Sequence, residues 1–132
     1  MQQLHETLID EEKGSVMVEF ALISTVLILL LAGIIQFGLI FNTQLNLENA
    51  VREGARFASL PANANNETAT ETFIRSIAKV PLAGSEISIT PAWRQPGDSI
   101  QVTIQYRYTV PVTLGVFPET IELTASSVMM QN

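Results

Sequence analysis

The chain has 132 residues, of which 47% are hydrophobic and 15% charged, with a net charge of −6 and no cysteine. That length gives room for one small domain, and without cysteine there is no disulfide framework and no thiolate metal site. Seven scattered Lys and Arg residues against 13 acids do not supply the clustered positive charge that phosphate recognition requires, so no nucleic-acid partner is expected.

The first 14 residues are acidic, with Glu6, Asp10, Glu11 and Glu12 outweighing Lys13. No charged residue then occurs between Glu19 and Glu48. Inside that block Phe20 to Phe41, FALISTVLILLLAGIIQFGLIF, is interrupted only by the polar side chains of Ser24, Thr25 and Gln36. As an α-helix this run rises roughly 33 Å, against roughly 30 Å of bilayer hydrocarbon. A buried core helix of this length would need apolar cover on every side, which so short a chain has little material to provide. A cleaved secretory signal would need a basic first region and an apolar stretch of about 7–15 residues; here the first region is acidic and the run is longer. The segment therefore reads as membrane-spanning. The positive-inside count, with Lys13 before the run and Arg52 and Arg56 after it, by itself points to the opposite orientation from the one adopted below.

After Phe41 the sequence NTQLNLENAVREGARFASLP keeps a helical period, with Leu45, Ala50, Val51, Ala55 and Ala58 on one face and Glu48, Arg52, Glu53 and Arg56 available to the other. Glu48 and Arg52 stand at i, i+4 in the favourable order. Pro61 supplies the stop. One helix over residues 15–60, about 45 residues and on the order of 65 Å long, is expected, with its lower half in lipid. Gly33, Gly38 and Gly54 interrupt it, as points of close helix packing or of bending.

Residues 61–132 read as a small α+β domain. A loop leads to a short helix capped by Asn66 or Thr68, with Ala69, Phe73, Ile74, Ile77 and Ala78 on one stripe, ended by Pro81. The period then changes to two. Ile87 and Ile89 alternate, then Ile100 through Val110, then Ile121 through Met129, separated by the Pro- and Gly-bearing segments QPGD and LGVFPE. This predicts an antiparallel sheet of about three strands with one apolar face, covered by the short helix and the upper part of the long one. Asn66-Glu67-Thr68 fits a glycosylation sequon, a short pattern of little weight.

No catalytic constellation is evident. The one histidine, His5, lies in the acidic leader, so neither a histidine-based triad nor a multi-histidine metal centre is expected. The carboxylate pairs Glu67 with Glu71 and Glu119 with Glu122 read as solvated acids at a helix start and a strand end. Neither an enzyme nor a cofactor or metal is expected. Trp93, between two prolines, suits packing over the sheet edge or contact with a partner.

Glu19 at the start of the apolar run poses the sharpest question, since a charge at the centre of a membrane helix costs about 2.5–3.5 kcal/mol, and less toward the edge. Glu19 either snorkels to water at the interface or meets a positive group. If the Gly14-Ser15 bond were cut, the new Ser15 amine would lie four residues from Glu19, and the amine of one helix would reach the carboxylate of another in a medium that strengthens the pairing.

Gly14, followed after four residues by Glu19-Phe20, resembles a type IV prepilin processing site. The blocks VEFAL, GIIQFG and NAVREGARFA, together with VTIQYRYTVPV and TIELTASSVMM near the end, resemble the TadE-like family of the tight-adherence (type IVc) pilus system. The resemblance implies a type IV pilin-like fold and a minor pilin or pseudopilin that primes or builds the pilus. It implies cleavage by a prepilin peptidase between Gly14 and Ser15, with Glu19 as the membrane-embedded acid beside Phe20. Its implied partners are other pilin or pseudopilin subunits and the inner-membrane assembly machinery, and its implied location is the inner membrane with the C-terminal domain outside the cytoplasm. The acidic leader departs from the family's usual basic one. A second reading, of another class, is a permanently anchored binding module whose sheet holds a ligand or envelope protein through Trp93, Tyr106 and Tyr108.

Overall fold

The computed structural model describes residues 2–63, 65–91, 95, 97–111 and 119–131, with side chains from Gly14 onward. The chain divides into two compact units, Met1–Gly38 and Leu39–Asn132, and is α+β, with a long apolar helix, a short helix and a three-stranded antiparallel sheet.

Helix α1 spans Gln2–Ala58. It begins well before residue 15, where the helix was expected to start, because the leader is built of good helix formers and Gly14 is its single weak point. In the first unit its side chains are exposed almost throughout, including Phe20, Ile28 and Phe37. The hydroxyls of Ser24 and Thr25 both donate to the Ala21 carbonyl, at 3.0 and 2.8 Å. These polar groups are thus satisfied within the helix, as a lipid surrounding demands.

The second unit has its own core. Leu47, Ala50, Val51, Ala55 and Ala58 of α1 are buried with Ile74, Leu82, Ile100, Val102, Ile104, Leu123 and Ala125. The buried α1 positions recur at three and four residues, which sets them on one stripe. Leu45, expected on that face, is instead 44% exposed while Leu47 is fully buried; two positions along a helix turn a side chain to nearly the opposite side. The end of α1 is closed locally, since Ser59 Oγ donates to the Arg56 carbonyl at 2.8 Å and Asn63 Nδ2 to the Phe57 carbonyl at 3.1 Å. Carbonyls that the helix leaves unpaired at its C-terminus are thereby satisfied.

Helix α2, Glu67–Ile77, starts where Asn66 Oδ1 accepts the Ala69 N–H at 3.0 Å, so Asn66 is the cap. Its Ile74 is fully buried, and Phe73 stacks on Phe57 of α1 with ring centroids 4.3 Å apart. Thr70, outside the expected apolar stripe, is also fully buried: its hydroxyl donates to the Asn66 carbonyl at 3.1 Å, which leaves its methyl free to pack. Arg75 fixes α2 to the segment that follows, holding Glu71 at 2.7 Å and donating to the carbonyls of Leu82 and Ser85.

Strands β1 (Glu86–Thr90), β2 (Ser99–Thr109) and β3 (Thr120–Met130) pair antiparallel in the order β1-β2-β3. The period-two pattern is realised with Ile100, Val102 and Ile104 buried in the central strand, Gln101 exposed and Thr103 half-buried between them, and Gln105 exposed after them. Between β1 and β2, Gly97 adopts φ +96°, a left-handed conformation suited to glycine. Its N–H reaches the Gln131 carbonyl at 3.2 Å, and the Gln131 N–H reaches the Asp98 carbonyl at 2.9 Å, continuing the β2–β3 ladder past the strand ends.

Candidate functional site

Gly14, Ser15, Glu19 and Phe20 all lie on α1 and are exposed. Nothing stands within 4 Å of where a Cβ on Gly14 would project, and the Gly14-Ser15 bond lies within the continuous helix α1. Ser15 and Glu19 are one helical turn apart and share a face. Glu19 makes no ion pair among the described residues. Around it Val16, Met17, Val18, Phe20, Leu22 and Ile23 are between 60 and 75% exposed. The carboxylate therefore sits at the border of an uncovered apolar surface, where a cationic group on an adjoining helix would reach it without displacing any part of the same unit.

Among the described residues there is one helix long and apolar enough to cross a membrane, found between Gly14 and Ala58, and its apolar window is not buried in the structure. A core helix would be covered; this one presents Leu22, Ile23, Val26, Leu27 and Leu30 along an open groove. The chain therefore carries one N-terminal helix fitted to anchor it as a single-pass membrane protein.

The three glycines of the helix stand in different surroundings. Gly33 is half-buried and Gly38 is exposed, with open space where a side chain would be. Gly54 is buried in the second unit, where a Cβ would lie 2.5 Å from Ile74 Cγ1 and 2.6 Å from its Cδ1. Gly54 thus admits α2 of its own chain. Tyr106 and Tyr108 are half-buried and pack against the core, and Trp93 lies outside the described residues. The acid pairs have separate surroundings: Glu71 is held by Arg75, and Glu122 stands opposite Arg107 in the β2–β3 register. Glu48 accepts from Gln44 Nε2 at 3.3 Å and forms no ion pair with Arg52 among the described residues.

The periodic reading passed over Gln44. Its Nε2 also donates to the Thr124 carbonyl at 3.0 Å, tying α1 to β3. Gln44, Glu48 and Arg52 line one wall of a polar cleft of about 300 Å³, with Thr124, Ser126 and Ser127 on the other. Their spacing of four residues was visible in the sequence, but an apolar-stripe search does not register it.

Comparison with known proteins agrees with the helix geometry. No curated protein and no solved structure matches the chain significantly. The model of the family described as TadE-like protein matches residues 14–56, which begins at Gly14 and ends two residues before α1 does. Helix α1, from Gly14 into its part in the second unit, thus carries the sequence signature of the TadE-like family.

Proposed function

We propose that the chain is a minor pilin or pseudopilin, a structural subunit that primes or assembles a type IVc (Tad/Flp) pilus after a prepilin peptidase cuts between Gly14 and Ser15. The observation that supports this most directly is the TadE-like match that starts at Gly14 and runs along a helix whose membrane half is uncovered. The family match and the apolar helix together fit a membrane protein associated with the Tad pilus. The partners in this reading are other pilin subunits, the peptidase and the inner-membrane assembly machinery. The second unit stands on the extracytoplasmic side.

In this mechanism the work is positional. Hydrolysis breaks the Gly14-Ser15 amide, one water supplying the oxygen of a Gly14 carboxylate and its two protons going to the nitrogen of a Ser15 ammonium. The ammonium of one subunit then pairs with Glu19 of a neighbour. Two charges that are each costly in hydrocarbon become tolerable as a pair, so subunits whose helices are in register are favoured over those that are not. The test is piliation of cells lacking the chain, complemented with the unchanged protein or with Glu19→Ala. The account expects pili to be lost, restored by the first and not by the second, with Glu19→Ala still processed. Undiminished piliation without the chain would remove the assembly role, and full rescue by processed Glu19→Ala would remove the charge pairing.

A further inference from the structure

Within the second unit, two contacts fix the direction of the sheet along α1. Gln44 Nε2 donates to the Thr124 carbonyl at 3.0 Å. Further along the helix, Gly54 lies against Val102, whose Cγ1 would be 3.8 Å from a Cβ there, and Val102 pairs with Ser127. Strand β3 therefore runs in the same direction as α1, and its first residues stand at the end of the unit where α1 enters it. Ile121, with Tyr108 opposite, comes about 10 Å before Thr124 at roughly 3.3 Å per residue. Ile40 comes about 6 Å before Gln44. The end of the sheet that carries Tyr108 and Ile121 thus reaches at least the level of Ile40, and all three side chains are partly buried against the core. On the outside, that level is still apolar. Leu39, Phe41 and Leu45 are 42, 66 and 44% exposed, and α1 carries no charge between Glu19 and Glu48, so the uncovered apolar run of the helix continues past Gly38 into this unit.

We propose that this end of the sheet is seated in the headgroup layer of a phospholipid bilayer, so that the second unit meets the membrane at Tyr108 and Ile121 as well as through α1. The occupant follows from continuity: the lipid that covers the membrane-crossing part of α1 also covers Leu39 and Phe41, and the sheet end stands beside them. Tyr108 is half-buried, with part of its ring on the core and part open, as suits a tyrosine at a membrane–water interface. The backbone there is closed by the Val110 N–H to Glu119 carbonyl bond at 2.9 Å, which lowers the cost of leaving water. Charge sets the depth. Arg107, Glu119 and Glu122 are exposed at the same end, and charged groups are held out of hydrocarbon but not out of the headgroup layer. The seat rests on α1 crossing a bilayer, and neither on the pilin assignment nor on cleavage after Gly14.

The chain has no cysteine, so single cysteines can carry a nitroxide label in the full-length protein, held in phosphatidylcholine nanodiscs. Thr109→Cys and Thr120→Cys mark the seated end, where the two residues are exposed and face each other in the register. Ser99→Cys, exposed at the other end of β2, stands about 33 Å away along the strand. Ile28→Cys marks the membrane-crossing part of α1, where Ile28 is exposed. Oxygen concentrates in lipid and a hydrated nickel chelate is excluded from it, so the ratio of their collision rates with the label rises with depth. At Thr109 and Thr120 this ratio is expected to be about three to five times that at Ser99 and to stay below that at Ile28, as a site between water and hydrocarbon requires. Either threonine reports the level if the other variant does not accumulate. A lipid-like ratio at Ile28 with the threonines equal to Ser99 would overturn the seat and leave the span in place. Threonines as deep as Ile28 would overturn the headgroup position, and a water-like ratio at Ile28 would remove the span and the seat with it.

Discussion

Gly54 makes the clearest case for reading sequence as packing. A methyl group there would lie 2.5 and 2.6 Å from two atoms of Ile74, a fully buried side chain of the core. Replacing glycine with alanine inside a helix gains about 1 kcal/mol of propensity, while overpacking a closed core costs about 1–3 kcal/mol. Gly54→Ala is therefore expected to destabilise the second unit by about 1 kcal/mol net, lowering its melting temperature by roughly 4–8 °C. Gly38→Ala has open space around it and lies outside that unit, so it should leave the melt unchanged. Ile74→Val removes Cδ1, one of the two opposing atoms, and by itself costs about 0.5–1.5 kcal/mol. Combined with Gly54→Ala it should cost less than the sum of the two changes, a coupling that marks direct contact. Thermal unfolding of the detergent-solubilised full chain, followed by protease resistance, measures the four variants against the parent. Additive effects, or a Gly54→Ala protein as stable as the parent, would refute the packing argument.

Two further substitutions probe how α2 is held. Asn66→Ala removes the side chain that accepts the Ala69 N–H and should cost about 1 kcal/mol, with Asn66→Ser recovering most of it, read in the same unfolding assay. Arg75→Ala removes the donor to the Leu82 and Ser85 carbonyls and should cost about 1–2 kcal/mol. Glu71→Gln, which breaks only a partly exposed ion pair, should cost under about 1 kcal/mol.

What the sequence disclosed follows from which signals are local. Ile100, Val102 and Ile104 alternate with polar residues, and a pleated strand turns such alternation into a buried face without reference to anything distant. The same holds for Asn66 as a cap, because the bond it makes spans three residues. Leu47 and Thr70 were missed for opposite reasons. Leu47 lies three and four residues before Ala50 and Val51, on their stripe, whereas Leu45 lies five before Ala50, an interval that a stripe read at three to five residues admits although it turns the side chain away. Thr70 is polar by residue type, but its hydroxyl is consumed one turn back. The Gln44 bond to Thr124 spans 80 positions, beyond any periodicity. Of the candidate site, the Gly14 and Glu19 spacing and the apolar run were plain in the sequence; the polar cleft between α1 and β3 emerged only with the register.

The central claim is that Glu19 is tolerated in the membrane because a newly made amino group on a neighbouring subunit meets it. Intact-mass and N-terminal analysis of the protein from its native membranes and pilus fraction, with and without the peptidase, tests this most directly. The account predicts a chain beginning at Ser15 when the peptidase is present and a chain retaining residues 1–14 when it is absent. A pilus-associated protein that still carries its first fourteen residues would contradict it.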